Sequence, residues 1–88
     1  MAIWKERLTI TNDGSEPIIL YVEPWGRDYT LLSQDTLDLV MESASSNSHF
    51  HVQYGHSSLT VFAEGDPIDV SVSQDGKVLD VGHNRNHS

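Results

Sequence analysis

Three histidines in one short stretch, His49-Phe50-His51 and then His56, are the residues of this chain best suited by type to metal chemistry. Side chains two apart on a β-strand leave from the same face, so His49 and His51 would present two imidazoles side by side. Neutral imidazole is a ligand for zinc, nickel and copper, and His56 would be the third donor. The same alternation puts Phe50, Val52 and Tyr54 on the opposite face. Turning the imidazoles inward would leave those three in water, at about 1.5–3 kcal/mol for each large apolar side chain. The apolar face is therefore expected to take the core and the histidines the exposed side of the strand.

A second cluster, Trp25, Arg27, Asp28 and Tyr29, follows the Glu23-Pro24 pair, with Tyr21 on the strand before it. Flat aromatic rings with polar flanks can stack on a sugar, and Trp, Tyr and Arg are the side chains that anchor protein interfaces. The competing reading is that Trp25 and Tyr29 close one end of the core. Glu64, Asp66 and Asp69 surround a turn, but their spacing matches no calcium loop with the required ligand count. No Gly-x-Ser-x-Gly elbow, phosphate-binding glycine loop or His-Glu-x-x-His is present. A chain this short also leaves little room for a pocket that buries a substrate. No catalytic residue is assigned, no cofactor is implied, and the chain is read as a binding protein rather than an enzyme.

The elements that must hold these residues are strands. Trp4 to Thr11 alternates, with Trp4, Glu6, Leu8 and Ile10 on one side. Asn12-Asp13-Gly14-Ser15-Glu16-Pro17 is a dense turn, and Ile18 to Val22 is apolar on both faces, the mark of a central strand. The chain must bend at Glu23-Pro24-Trp25-Gly26, because proline removes a ladder donor and glycine permits a positive φ. Tyr29 to Leu32, Thr36 to Glu42, His49 to Tyr54, Leu59 to Glu64, Ile68 to Val72 and Val78 to Val81 continue the two-residue period. Ser43 to Ser48 is small and polar enough for a mobile loop, and Gln74-Asp75-Gly76-Lys77 reads as a tight hairpin. Seven to eight short strands without a helix predict an all-β fold, a single small antiparallel β-sandwich or jelly-roll-like barrel. Its domain spans residues 1–82, and residues 83–88, which hold no apolar side chain, are expected to form a flexible polar tail.

Two resemblances attach to these residues. His49-Phe50-His51 resembles the His-x-His element of cupins, jelly rolls in which a third ligand follows four or five positions after the second His. His56 stands where cupins usually carry Glu. That likeness implies a small metal- or ligand-binding protein using His49, His51 and His56. Separately, Leu8-Thr9-Ile10-Thr11-Asn12, Glu16-Pro17 and Glu23-Pro24-Trp25-Gly26-Arg27-Asp28-Tyr29-Thr30-Leu31 resemble a small group of uncharacterised bacterial proteins. These share an Asn, a Glu-Pro pair, then Glu-Pro-Trp-Gly and an aromatic-x-Leu run. A Pro-Gly pair often precedes their fourth strand, where this chain has Ser33-Gln34-Asp35. The resemblance implies a small all-β fold and brings no activity with it.

Thirteen Asp and Glu against five Lys and Arg give a formal net charge of −8. That field repels phosphate backbones and anionic lipid, so nucleic acid and membrane are not expected partners. The absence of cysteine removes disulfide and thiolate chemistry. With no apolar run of signal-peptide or membrane-span length, a cytoplasmic location is the expectation. The function these totals leave open is that of a non-catalytic module acting on a protein partner or by self-association, through Trp25, Arg27, Asp28 and Tyr29. A carbohydrate-binding module on the same aromatics is the alternative to the metal-binding one.

Overall fold

The structure, a computed structural model, describes residues 2–85. Eight strands follow in chain order: β1 (Trp4–Thr11), β2 (Ile18–Glu23), β3 (Arg27–Leu31), β4 (Thr36–Ser43), β5 (His49–Gly55), β6 (Ser58–Glu64), β7 (Pro67–Gln74) and β8 (Lys77–Val78). They form two four-stranded sheets, β1-β4-β7-β8 and β3-β2-β6-β5, packed as a sandwich. The chain crosses between the sheets after β1, β3, β4 and β6. All pairings are antiparallel except that of β2 with β6, which periodicity along the chain does not encode.

The period of two sorts the core as alternation predicts. Leu37, Leu39 and Met41 of β4 meet Leu20 and Val22 of β2, Tyr29 and Leu31 of β3, Val61 of β6 and Val70 and Val72 of β7 in one buried cluster. β2 lies between β3 and β6, so it is central, and its outer side chains Ile19 and Tyr21 reach the surface.

One polar side chain is needed inside this frame. Asn12 is buried where the β1–β2 turn meets the β3–β4 crossing. Its Nδ2 donates to the carbonyls of Glu16 (2.9 Å) and Leu31 (3.1 Å), and its Oδ1 accepts from the Gly14 amide (3.0 Å). Its backbone joins the same knot, giving its amide to Asp35 and taking that of Gln34. A buried amide with every hydrogen-bonding group matched costs little and pins two loops at once.

Three expectations change. Residues 83–85 do not form a free tail: Gly82 N–H donates to the Asp28 carbonyl (2.7 Å) and Thr30 N–H to that of His83 (2.8 Å). Tyr29 and His83 form a parallel bridge, and Asn84 Nδ2 reaches the Thr30 carbonyl at 3.4 Å. An edge strand offers its free amides and carbonyls to any backbone, and apolar side chains are not required for that capture. The remainder of the expected tail, residues 86–88, lies outside the described residues. The last strand stops at Val78 instead of Val81, because after the Leu79 amide bonds the Val72 carbonyl the chain turns toward β3.

Ser43 to Ser48 is tied down as well. Ser43 Oγ donates to the Ser45 carbonyl (2.8 Å), and the Asp66 amide donates to Ser48 Oγ (3.0 Å). Gly65, at φ +97°, sits so close that a Cβ there would lie 2.7 Å from Ser48 Cα.

Candidate functional site

The Trp25 corner is built by the β2–β3 connection, with Gly26 at φ +68° where a side chain would be strained. It swings Arg27 across the gap between the sheets. Nη1 of Arg27 donates to Asp69 Oδ1 (3.0 Å) and to the Val70 carbonyl (3.1 Å), both on β7, and the guanidinium lies over the Trp25 ring at 4.9 Å. Trp25 is half-buried against the core, and Tyr29, only 3% exposed, is inside it. Burial pushes the Tyr29 phenol above its ordinary pKa. Asp28 points to the outer face, where Arg85 Nε bonds its Oδ2 at 3.1 Å; this hydrogen bond holds the carboxyl below the usual aspartate range.

Those four residues therefore divide by role. Trp25 and Arg27 clasp the two sheets together, Tyr29 fills the core, and Asp28 holds the C-terminal segment. Tyr29 is closed to any partner, which removes it from the expected contact surface. The sugar platform also fails to assemble, because Tyr21 pairs with Asp28 on the outer face while Tyr29 pairs with Leu20 on the inner one. The expected acidic turn is dispersed too: Asp69 faces Arg27, whereas Glu64 faces His49.

His49 and His51 stand together on the exposed face of β5, with Phe50 packed against the core. Both approach one carboxylate oxygen, Glu64 Oε1, with His49 Nε2 at 3.1 Å and His51 Nδ1 at 3.8 Å. The Asn47 carbonyl can only accept, so His49 Nδ1 donates to it at 3.2 Å. His56 does not join them. It lies in the β5–β6 turn, beyond the far end of a seven-residue strand, about 20 Å along the chain direction from His49. The residue beside the two imidazoles is Glu64, and His56 is not part of the cluster. Among the described residues no group of three or more His, Asp or Glu side chains is arranged to hold a metal ion.

Sequence reasoning missed the opposite side of the sandwich, where β1 and β5 end the two sheets. Pairing places Phe50, Val52 and Tyr54 on the same face as Ala63, Val61 and Leu59, the inner face. Val61 and Ala63 are buried, yet Val52 is 44% exposed and Tyr54 81%. On β1, Trp4 pairs with the buried Ser43 and is itself 43% exposed. These are core-facing positions that the core does not reach. One sequence signal marks the place: His49-Phe50-His51-Val52-Gln53-Tyr54-Gly55 is the only one of the eight strands without Asp, Glu, Lys or Arg.

With this geometry in view, comparison with known proteins adds no relative: no protein-family model, curated protein or solved structure matches the chain.

Proposed function

We propose that the chain is a non-catalytic β-sandwich module that works by protein–protein contact, and that its contact surface is the β1/β5 side. The observation that carries this reading is the exposure of two neighbouring inner-face side chains of β5, Val52 and Tyr54, and of Trp4 near the other end of that side, where β1 pairs with Ser43. Single exposed apolar residues are ordinary on any surface. Exposed inner-face side chains opposite the buried Val61 and the partly buried Leu59 are a face left for something else to cover. The Trp25 corner supports the same reading indirectly, since its aromatic and guanidinium groups are already engaged by the protein itself.

A photocrosslinking residue placed at position 54, in cells producing the full chain, tests this against the same residue at Val78, which is exposed on β8 at the opposite edge of the other sheet. Discrete adducts from position 54 and none from position 78 are expected. Equal labelling from both, or none from either, removes the β1/β5 side as a contact surface.

A further inference from the structure

The sandwich has four sheet edges, and three are closed to another strand by different means. The β3 edge carries the chain's own residues 82–85. On the β7/β8 edge β8 covers Ser73 and Gln74, and the rest of β7 carries Pro67 and Asp69 with its Val70 carbonyl taken by Arg27, a proline and a charge that oppose strand addition. The β1 edge holds Lys5, Glu6 and Arg7 in succession, and charged edge residues oppose strand addition. That leaves β5, seven residues long and free of formal charge.

We infer that β5 pairs antiparallel with β5 of a second copy of this chain about a two-fold axis at Val52, joining two four-stranded sheets into one of eight. This rests on the reading of the β1/β5 side as a contact surface and names what occupies it.

The strand's own order of residues favours a second copy over another partner. A two-fold at Val52 sets Val52 against Val52, Phe50 against Tyr54, His51 against Gln53 and His49 against Gly55. Hydrophobic positions meet hydrophobic ones on the inner face, with two cross-strand aromatic pairs, and a ring nitrogen meets an amide on the outer face. β1 fails the same operation. A two-fold at Glu6 opposes Lys5 to Arg7 and Glu6 to itself, and one at Arg7 opposes two guanidinium groups.

Backbone geometry agrees. The β5–β6 hairpin closes on Gly55 and Ser58 across the two residues His56 and Ser57, so the amides and carbonyls of residues 49, 51, 53 and 55 turn toward β6. Those of Phe50, Val52 and Tyr54 turn outward. They are the groups that the pairing joins, each facing pair exchanging two hydrogen bonds. Charge limits the choice of edge in the same direction. Two chains of net charge −8 repel, and the neutral strand is where they can approach with the least cost.

Sedimentation of the full-length chain, with Val52→Lys and Val52→Cys variants, tests the pairing. Val52 is already half in solvent, so neither change is expected to disturb the monomer's far-ultraviolet spectrum or melting temperature in dilute solution. The wild type is expected to sediment as a dimer that dissociates on dilution. Val52→Lys, which sets two lysines opposite one another with their Cα atoms about 5.5 Å apart at the axis, is expected to weaken it at least tenfold. The chain has no other cysteine, so Val52→Cys is expected to form a covalent dimer under mild oxidation, whereas Ile68→Cys, equally exposed on β7, stays monomeric. A wild type monomeric to about 1 mM, a dimer unmoved by Val52→Lys, or a Val52→Cys variant that crosslinks no faster than Ile68→Cys each overturns the inference. Adducts from position 54 to other proteins, with a monomeric wild type, would refute the self-pairing and leave the contact reading standing.

Discussion

Along β3 and β7 the two sheets are held by Arg27 on Asp69 and the Val70 carbonyl, by the Trp25 ring under that guanidinium, and by residues 82–85 laid on the β3 edge. Along β1 and β5 no ion pair or side-chain hydrogen bond joins the sheets among the described residues, and inner-face side chains stand in water. The same alternation of apolar residues runs through both sides. What differs is whether the chain supplies its own cover, and the comparison shows that an exposed apolar side chain on an inner face is not equivalent to one on an outer face. Ile19 and Tyr21 are exposed because β2 has an outside; Val52 and Tyr54 are exposed because the core ends before it reaches them.

The widest separation between the sides is expected from two tyrosines. Removing the buried Tyr29 ring by Tyr29→Ala leaves a cavity beside Leu20 and costs about 3–5 kcal/mol, a large share of the several kcal/mol that a domain this small has. Tyr54→Ala, at an inner-face position left in solvent, is expected to change the monomer's stability by less than about 0.5 kcal/mol. Urea denaturation in dilute solution reads both. Similar losses from the two variants would mean that the β5 row belongs to the core after all, and the distinction between the sides would go.

A smaller contrast lies in two arginines. Arg27→Ala withdraws the guanidinium from Asp69, the Val70 carbonyl and the Trp25 face together, and is expected to cost about 1–2 kcal/mol. Arg7→Ala on β1 removes a charge that bridges no gap and is expected to fall within about 0.5 kcal/mol of wild type. If Arg27→Ala is as mild as Arg7→Ala, the clasp contributes nothing and Trp25 alone closes that side.

How much of this was legible in the sequence follows from what each residue type encodes. The core faces of β4 and β7 were readable from alternation because Leu39 and Val70 have the polar neighbours Asp38, Asp69 and Ser71, whereas β2, apolar on both faces from Ile18 to Val22, shows its inner side only through its place between β3 and β6. The exposed placement of His49 and His51 followed from the competing claim of Phe50 on the inner face. Strand order was not readable, since neither the parallel β2–β6 pair nor the short β8 leaves a mark on local periodicity. The role of Arg27 was out of reach for the same reason: its partner is Asp69, a residue brought near only by the packing of the two sheets. Residues 83–85 were misread because they are held through backbone groups, which every residue has, and through Arg85, whose partner Asp28 lies on another strand. The neutrality of β5 was visible in the chain. Its meaning depends on knowing that β5 is an edge, which only the sheet order supplies.

The gentlest way to test the closed side is acid. Asp28 has its pKa lowered in the fold by the Arg85 hydrogen bond, so the ionised carboxylate favours the capped edge. A group whose folded pKa is depressed contributes above its unfolded value, near 3.9, and loses that contribution as pH falls through the folded value. The cap is therefore expected to hold at neutral pH and to loosen from about pH 4 downward, while Arg85 remains charged throughout. The protection factor of the Thr30 amide, which bonds the His83 carbonyl, reads this directly. It is expected to fall across that window with the core amides of β4 unchanged, and Asp28→Asn is expected to show the loosened edge already at neutral pH. A Thr30 amide equally protected from pH 5 to pH 2 would assign the cap to its backbone bonds alone, and Arg85 would then be incidental to how this edge is closed.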